Sequence, residues 1–483
     1  MNSKKLAGDT IEKLGAIAGT AYSKGKYQQT LASLSARARL EYTCNQVYTD
    51  PEAEVLLIQL SEVVGQSVNH KGDSGAVLFY DGFGLDTRGL VQIYLKALVQ
   101  NGYRVIYITA ASNAQNQPQV MDILRGGTCR IYHDPGHGFT EKTAWLDGIF
   151  DNERFDTAFF YTTPWDVSAV LSFYKLRNQC VRYQINLTDH AFWLGVNAFD
   201  YCIEFRNYGA AISRDYRGIE PSRLVCLPYY PIINKNMEFQ GFPFETEGKK
   251  VVFSGGTLYK TEDPEKTYFK LVEHIVKNHA DAVFMYAGYG KSEELERLGR
   301  KYPGQVYHIE ERTDLVRILE NSYLYLNTYP ISGALMLQFA AEAGCVPVTL
   351  RRPWDDDASG ILMDEETLGE TFCDFDAVCT ELDKLLTDEA YRDGKRQLLK
   401  NQVISEADFN RTLQEIIRIP QKHLIGRITP VDTRLFRESY LETLSSGAIA
   451  GAVFTKETIA IAKYFPYFAV WGILRKIRSV LSA

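Results

Sequence analysis

The feature that most constrains this chain is an alternation of short apolar runs and longer amphipathic runs, which occurs twice. In the first half, "GAVLFYD" (75–81) precedes the helical pattern "RGLVQIYLKALVQNG" (88–102), and strand-like runs recur as far as "YCIEF" (201–205). The alternation restarts at "KVVFSGG" (250–256) and continues to "VPVTL" (346–350). Strands that alternate with helices form a parallel sheet covered on both faces. The pattern therefore predicts an α/β fold with two tandem Rossmann-like domains.

The rest of the chain is assigned around these two domains. Residues 1–70 are predicted to form an N-terminal helical segment, and residues 71–235 the first Rossmann-like domain. The stretch 227–250 is rich in Pro, Asn, Gly and charge, which is typical of a linker. The second Rossmann-like domain is expected at 250–420, followed by a C-terminal amphipathic helical tail at 430–483.

Composition excludes several classes of function. The net charge of −7 gives no basic surface for nucleic acid. Eight cysteines without a Cys-x-x-Cys pair favour reduced thiols in the cytosol over disulfides or a zinc site. Asp9, Glu12 and Lys13 interrupt any apolar signal region, and no apolar run reaches the roughly 20 residues that span a bilayer. We therefore expect a cytoplasmic protein without a metal site.

The tail has a different character from the rest of the chain. "SSGAIAGAVFT" (445–455) and "YFPYFAVWGIL" (464–474) carry no charge, and Arg475, Lys476 and Arg478 follow them. Aromatic residues beside basic ones suit the headgroup region of an anionic membrane. Two interpretations stay open: peripheral contact with the inner face of the cell membrane, or a C-terminal helix packed on the first domain.

One loop with phosphate-binding character follows the first strand of the second domain. In "FSGGTLYK" (253–260), Ser254, Gly255 and Gly256 would let the backbone approach a diphosphate, and Lys260 would supply a positive charge. Ligands of open α/β sheets bind beyond the carboxyl ends of the strands, where this loop lies. A simple glycine turn is the competing interpretation.

A second such loop opens "YPISGALMLQFAAEAG" (329–344), after the strand-like "LYLNT". Ser332 is predicted to cap a helix, which leaves the amides of Gly333, Ala334 and Leu335 open. A helix N-terminus carries about half a positive charge, so a diphosphate could rest there. The competing interpretation is a cap without a ligand.

These motifs resemble the donor domain of GT-B glycosyltransferases, in particular the O-linked N-acetylglucosamine transferases and their bacterial relatives. The run 324–350 is similar to their Leu-Asp-Thr, Gly-led helix, second Gly and Pro-Val-Val-Thr-Leu-like strand, with Gly333 and Gly344 at matching positions. "FSGG" resembles their diphosphate-facing loop. The resemblance implies two domains facing a cleft, a UDP-sugar on the second domain and no metal or other cofactor.

The chain departs from this family at two places. Uncharged residues stand at 334–336, where the family has His and hydroxyl side chains, so diphosphate contact would depend on backbone amides and Lys260. Many retaining relatives hold the ribose with a Glu at the position of Phe339. Gln338, which we include in the expected donor site, and Glu342 are neighbours that could substitute for it.

Base recognition is expected in "VYHIEERTDLVRIL" (306–319), the strand-to-helix loop of this domain. His308 or Arg312 would lie near the edge of a uracil or purine. A solvated loop is the alternative.

The acceptor chemistry is expected in "INLTDHAFWLG" (185–195) of the first domain. His190 follows a strand and suits the abstraction of an acceptor proton. Asp189 is a candidate beside it, although neighbouring side chains on a strand diverge, so direct orientation of His190 is not expected. Trp193 is expected to be exposed and to stack on a sugar. A buried polar niche is the alternative for these residues.

The first strand-to-helix loop, "YDGFGLDTRG" (80–89), would complete the acceptor site. Gly82 leaves room for a ligand, Asp81 is the second candidate base, and Arg88 would hold a phosphate or a lipid-linked acceptor. A glycine-rich turn without a ligand is equally compatible with the sequence.

Together these features predict a metal-independent glycosyltransferase that moves a sugar from a nucleotide sugar to a glycan, lipid-linked or protein acceptor. Two other classes stay open. One is a non-catalytic GT-B partner subunit or chaperone of a glycosyltransferase, in a homo- or hetero-oligomer. The other is a nucleotide-sugar epimerase.

Overall fold

The chain forms two compact α/β units. The computed structural model describes residues 3–87, 89–136, 138–234, 236–352, 371–399, 401–442 and 444–466. The first unit contains the described residues up to Leu227 and those from Asn410 onward, and the second runs from Pro228 to Phe409. Each unit has its own parallel sheet, which confirms the predicted fold class.

In the part of the chain that the structure describes, the sheet of the first unit has seven parallel strands. They are β1 Ala76–Asp81, β2 Arg104–Thr109, β3 Cys129–His133, β4 Thr157–Tyr161, β5 Val181–Ile185, β6 Tyr201–Glu204 and β7 Leu224–Cys226. Their order is β3-β2-β1-β4-β5-β6-β7, so the direction of strand addition reverses between β1 and β4. All six residues of β1 are buried, as expected for a central strand covered on both faces.

The second sheet has six parallel strands among the described residues. They are β8 Lys250–Gly255, β9 Ala282–Ala287, β10 Val306–Ile309, β11 Leu324–Leu326, β12 Val346–Leu350 and β13 Thr371–Phe372. The order is β10-β9-β8-β11-β12-β13. Because β8 lies between β9 and β11, the loops that follow these three strands are neighbours at one edge of the sheet.

Helices cover the sheets and form the N-terminal segment. In chain order they are α1 Ser3–Ser23, α2 Tyr27–Cys44, α3 Pro51–Val63, α4 Gly89–Gln100, α5 Pro118–Leu124, α6 Phe139–Asn152, α7 Val167–Lys175, α8 Asn207–Asp215, α9 Thr267–Asn278, α10 Glu293–Lys301, α11 Leu315–Glu320, α12 Ala334–Ala343, α13 Phe375–Thr387, α14 Glu389–Leu398, α15 Glu406–Arg418, α16 Arg434–Glu442 and α17 Ser446–Val453. Leu14, Leu31 and Leu57 of α1–α3 are fully buried in the core of the first unit. The predicted N-terminal helical segment is therefore part of that unit.

Two segments expected to be peripheral make specific contacts. Residues from the predicted linker pack on the second unit, where Arg317 donates to the carbonyl of Met237 (3.0 Å). The second domain was expected to extend to residue 420. Instead α15 returns to the first unit at Asn410, and the Tyr183 hydroxyl donates to the carbonyl of Ile416 (2.8 Å).

The described part of the tail packs on the first unit. Ile449, Val453, Ile461 and Phe465 are buried in its core, which agrees with the second interpretation left open for this segment. Residues 467–483, with the basic cluster, lie outside the described residues. Within the described part of the chain, none of the helices has the length and hydropathy needed to cross a membrane.

Candidate functional site

Three loops meet at the carboxyl edge of the second sheet, after β8, β9 and β11. The amide of Leu258 donates to the carbonyl of Tyr289 (2.9 Å), which joins the first loop to the second. The amide of Ile331 donates to the carbonyl of Lys260 (3.3 Å), which joins the first loop to the third. The structure thus brings together the two loops with predicted phosphate-binding character.

Glycines shape this edge through direct backbone contact. Gly256 has a φ of 128°, a conformation that side chains disfavour, and its amide donates to Ala287 (3.0 Å). A Cβ added to Gly288 would lie 1.8 Å from the carbonyl oxygen of Gly256, and one added to Gly255 would lie 2.9 Å from that of Ala287. The two loops therefore form a glycine cradle. Our sequence reasoning missed Gly288, although "AGYG" (287–290) directly after a strand was a usable signal.

The side chain of Ser254 does not belong to this cradle. It is fully buried, and its hydroxyl oxygen accepts a hydrogen bond from the Tyr268 hydroxyl (2.6 Å) on α9. Side chains alternate between the faces of a strand, and Ser254 still lies within β8. The side chain of Ser254 is therefore not available to a diphosphate, and the approach of its backbone to a diphosphate stays a prediction.

Lys260 supplies positive charge beside the cradle. Its ammonium group has no hydrogen bond or ion pair with any residue in the described ranges. Burial lowers the pKa of Lys260, because desolvation disfavours a charge that has no counter-charge. An anion bound at this position would relieve that cost.

The start of α12 differs from the prediction by one residue. Gly333, not Ser332, occupies the N-cap position, and its amide donates to the side-chain oxygen of Asn327 (2.9 Å). The amides of Ala334, Leu335 and Met336 lack a partner among the described residues, because the first intrahelical bond runs from the amide of Leu337 to the carbonyl of Gly333 (3.2 Å); three amides are open as expected, but shifted by one residue. Asn327 caps this loop because its oxygen also accepts from the amide of Thr328 (2.9 Å).

The two residues expected near a base have different surroundings. His308 is exposed on β10, and its Nε2 donates to the carbonyl of Gly288 (3.1 Å), so it adjoins the glycine cradle. The guanidinium of Arg312 makes a bidentate contact with Asp314 (2.7 and 2.5 Å) and donates to Gly241 (2.9 Å). Arg312 therefore holds the segment around Gly241 in place, and three of its five N–H donors are bonded to protein acceptors.

Gln338 is buried within the second unit. Its Nε2 donates to the carbonyl of Tyr229 (2.7 Å), while its Oε1 has no partner among the described residues. Phe339 packs against the core of this unit. Neither residue presents a carboxylate to a ribose.

In the first unit, His190 lies on a turn that follows β5. Its Nδ1 is 3.1 Å from Oδ1 of Asp189. Our expectation that these neighbours diverge was wrong, because β5 ends at Ile185 and the strand geometry no longer applies. Arg206 binds both oxygens of Asp189 (2.6 and 2.9 Å). Although burial alone would raise the pKa of Asp189, the charge of Arg206 and the bonds from His190 and Arg206 hold it below its ordinary value.

The N-terminal segment holds this turn in place. The side-chain amide of Asn45 donates to the carbonyl of His190 (3.1 Å) and accepts from the amide of Phe192 (3.1 Å). Arg217 donates to three carbonyls of the same turn, those of Thr188, Asp189 and Ala191. The backbone around His190 is therefore fixed from two sides, which our sequence reasoning missed.

Trp193 does not present a stacking face. Only 3% of its surface is exposed, and the guanidinium carbon of Arg217 lies 4.9 Å from its ring centroid. The expected sugar contact is therefore wrong, because Arg217 and the core of the first unit cover the ring.

Asp81 supports its loop from the inside. Its carboxylate is fully buried and accepts four hydrogen bonds, from the amides of Phe83 and Gly84 and from the side chains of Tyr107 and Gln117. Burial raises the pKa of Asp81 despite these bonds. With its oxygens occupied in this way, Asp81 stabilises the turn and is a poor candidate for a base. Arg88 lies outside the described residues.

Gly82 lines a cavity of about 720 Å³ in the first unit. Gly82, Ala110, Asp134 and Thr163 of its wall directly follow, or lie within two residues of, the ends of β1, β2, β3 and β4. The cavity therefore lies at the topological switch point between β1 and β4, where open α/β sheets bind ligands. His190 is absent from the described wall of this cavity.

A compact charged cluster lies in this cavity, and sequence reasoning missed it. The ammonium of Lys142 is 3.3 Å from the carboxylates of both Asp134 and Asp166, and the Tyr80 hydroxyl donates to Asp166 (2.5 Å). Burial alone would lower the pKa of Lys142, but the charge of Asp166 holds it well above its ordinary value. The cluster offers donors and acceptors in a fixed arrangement without a large net charge.

The comparisons with known proteins rest on structure alone. No family model and no curated protein matches the chain in sequence. The structure of a Thermobaculum terrenum O-GlcNAc transferase mutant superposes with a TM-score of 0.50 and 16% identity, covering 91% of this chain and 83% of that one. A putative UDP-N-acetylglucosamine 2-epimerase from Listeria monocytogenes gives 0.53 and 14%, covering 74% and 100%. A glycosyltransferase from Rickettsia africae gives 0.52 and 11%, also covering 74% and 100%.

These likenesses agree with the two parallel sheets described above. At such low identity they establish the fold and leave the reaction open. The chain therefore has the GT-B fold, which these glycosyltransferases and UDP-N-acetylglucosamine 2-epimerases share.

Proposed function

We propose that this chain is a glycosyltransferase that moves a sugar from a nucleotide sugar, most simply a UDP-sugar, to a glycan, lipid-linked or protein acceptor. The observation that carries the proposal is the unpaired ammonium of Lys260 beside the glycine cradle of Gly256 and Gly288. A diphosphate needs a cation and close backbone approach, and this loop edge offers both.

In this proposal, the leaving diphosphate is stabilised without a metal ion. Negative charge develops on the leaving group as the sugar–phosphate bond breaks. Lys260 and the amides of Ala334 and Leu335 would meet that charge from positions already fixed by the fold, so little reorganisation is needed. His308 would lie on the nucleoside side, because it is bonded to the cradle through Gly288.

The acceptor would bind to the first unit. The Nδ1–H bond from His190 to Asp189 makes Nε2 the proton-accepting nitrogen of the neutral ring, as a general base requires. The cavity at Gly82 has a volume typical of small-molecule sites, and its paired charges suit hydroxyl groups. In this proposal the reacting hydroxyl group lies at His190, and the cavity at Gly82 is a separate place on the same unit for a sugar unit of the acceptor.

A second candidate function is a non-catalytic partner of a glycosyltransferase. The observation that favours it is the absence of a carboxylate at position 339 of α12, where Phe339 is packed in the core and its neighbour Gln338 is bonded to Tyr229. Such a protein would keep the fold and lose donor affinity.

A donor panel separates these candidates. The protein is incubated with nucleotide sugars, with and without a set of glycan, lipid-linked and peptide acceptors and with and without EDTA, and released nucleotide is measured by mass spectrometry, alongside thermal unfolding with UDP. A transferase is stabilised by UDP, since a ligand that binds only the folded state raises its stability. It also releases nucleotide with EDTA present. Stabilisation by no nucleotide diphosphate would support the partner, and conversion of the donor sugar without an acceptor would support an epimerase.

A further inference from the structure

A polar cavity of the first unit, distinct from the one at Gly82, lies at the amino ends of β5, β6 and β7. Its volume is about 470 Å³, within the range of about 300–1,000 Å³ that small-molecule sites occupy. Arg182 lies near the start of β5, while Asp200 and Arg223 directly precede β6 and β7. The three strands are parallel, so their amino ends meet at one edge of the sheet. This edge is opposite to the one where the His190 turn follows β5.

The charges in this cavity are unbalanced. Arg177, Arg182 and Arg223 stand against Asp200, and no other charged side chain is part of the wall within the described ranges. Arg182 is only 1% exposed, and its guanidinium contacts both carboxylate oxygens of Asp200 (2.8 and 3.1 Å). Three positive charges less one negative charge leave a net charge of +2 in the cavity of an acidic protein.

The other two guanidinium groups keep donors for a ligand. Arg177 is exposed, and its side chain has no hydrogen bond or ion pair with any residue in the described ranges. Arg223 is half-buried, and its Nε and Nη2 donate to the carbonyls of Asp200, Val196 and Phe199 (3.2, 3.2 and 2.6 Å). Its Nη1 has no partner among the residues that the structure describes. The carbonyls therefore hold Arg223 in position and leave its charge unpaired.

An anion would relieve an electrostatic cost in this cavity. Burial lowers the pKa of Arg223, the charge of Asp200 opposes that decrease only in part, and the positive charges of Arg182 and Arg177 add to it. The guanidinium groups therefore repel one another while they are partly desolvated. A negative charge between them would offset both effects.

We propose that this cavity binds the phosphate group of a small phosphate monoester. Such a group carries about −1.5 to −2 at pH 7 on three oxygens, which matches a net charge of +2 held in one place. A dicarboxylate would divide the same charge between two separated groups. Guanidinium groups suit phosphate because their planar, paired N–H donors fit its oxygens.

The rest of the wall suits a polar organic part of that molecule. The side chains of Asn178, Asn197 and Ser222 line the cavity, are exposed and have no hydrogen bond among the described residues. They offer amide and hydroxyl groups to the hydroxyls of a sugar-sized ligand, whereas inorganic phosphate would leave most of the volume to water. The proposal is independent of the proposed transferase reaction, because neither the glycine cradle nor the His190 turn takes part.

The test is calorimetric titration of the full chain with glucose 6-phosphate, inorganic phosphate, glucose and succinate. The variant Arg177→Gln removes a charge that has no bond in the described structure, so thermal unfolding without ligand should match that of the native protein. Its affinity for glucose 6-phosphate should fall about 10- to 100-fold, which corresponds to one hydrogen bond to a charged group. Arg154→Gln should keep the native affinity, because Arg154 is also exposed on the first unit and is not part of the wall.

Further arms separate this cavity from the proposed donor site and from other anions. Lys260→Met should bind glucose 6-phosphate as the native protein does; loss of binding there, with normal binding in Arg177→Gln, would place the phosphate at the glycine cradle and overturn the proposal. Equal affinities of Arg177→Gln and the native protein would overturn it as well. So would tighter binding of succinate, glucose or inorganic phosphate than of glucose 6-phosphate, since the cavity would then not select a phosphate monoester.

Discussion

Gly256 and Gly288 approach each other so closely that a Cβ on Gly288 would lie 1.8 Å from the Gly256 carbonyl oxygen. The variant Gly288→Ala must therefore push the loops after β8 and β9 apart. We expect the affinity for UDP to fall about tenfold or more, since overpacking typically costs about 1–3 kcal/mol and here displaces the proposed phosphate cradle. Calorimetric titration with UDP measures the loss.

Gly299 on α10 provides the matched control for this change. A Cβ there would meet its nearest neighbour, the carbonyl oxygen of Val306, at 3.6 Å, which is ordinary contact. Gly299→Ala should leave UDP binding unchanged and stabilise the fold slightly, because alanine is the better helix former by about 1 kcal/mol. Unaltered UDP affinity in Gly288→Ala would mean that the cradle does not hold the diphosphate.

Removal of the Lys260 charge should separate ligand affinity from stability. In Lys260→Met we expect UDP binding to weaken by about 10- to 100-fold, which corresponds to one hydrogen bond to a charged group. The fold should keep or gain stability, because a desolvated and unpaired ammonium is removed. Binding by titration and unfolding by urea measure the two effects.

The control for Lys260 is Lys266, which is bonded to Glu262 in an ion pair on the surface. Exposed pairs of this kind contribute about 0–1 kcal/mol to the stability of the fold. Lys266→Met should therefore change the UDP affinity and the free energy of unfolding only slightly. A Lys260→Met protein that binds UDP as well as the native protein does would contradict the proposed donor site.

Periodicity made the sheets predictable, and glycine spacing made part of the proposed donor loop predictable. The fully buried "AVLFYD" of β1 and the glycines at the end of β8, Gly255 and Gly256, are local signals, which depend on residues adjacent in the chain. The sequence also predicted that Lys260 lies near the start of α12, because the carboxyl ends of adjacent parallel strands meet at one edge of the sheet.

The features that were missed depend on contacts between residues far apart in the chain. Trp193 is buried because Arg217, 24 positions later, covers its ring, and no local pattern reports that. The cavity at Gly82 is lined in part by Arg39 of α2 and by Glu457, which form an ion pair (3.2 Å). The wrong expectation that Asp189 and His190 diverge had a different source. It assumed that β5 extends to these residues, whereas the strand ends at Ile185 and both residues lie on the following turn.

Replacement of His190 should affect turnover and leave donor binding intact. We expect His190→Ala to lower kcat by about 10²- to 10⁴-fold, the usual contribution of a general base, with an unchanged affinity for UDP. His423→Ala is the control, because His423 also bonds a carboxylate of the first unit, Glu415 (3.0 Å). Equal losses of turnover and UDP affinity in His190→Ala would identify a structural histidine.

Glu54 should make the stability of the fold depend on pH between about 4.5 and 7. Its carboxylate is buried in α3 and accepts from the amides of Gly195 and Val196 and from the hydroxyl of Tyr174 (2.6, 3.4 and 2.9 Å). Burial outweighs these bonds and raises the pKa of Glu54 to about 7. Between pH 4.5 and 7 the folded state therefore holds a proton that the unfolded state has released. The contribution of Glu54 to the free energy of unfolding is greatest below pH 4.5 and is lost as the pH rises to about 7.

Urea unfolding at pH 5 and pH 7.5 should show that Glu54 lowers the free energy of unfolding by up to about 3 kcal/mol over this range. In Glu54→Gln, which keeps an acceptor oxygen and cannot ionise, that part of the slope should disappear; an unchanged slope would show that Glu54 is ionised throughout.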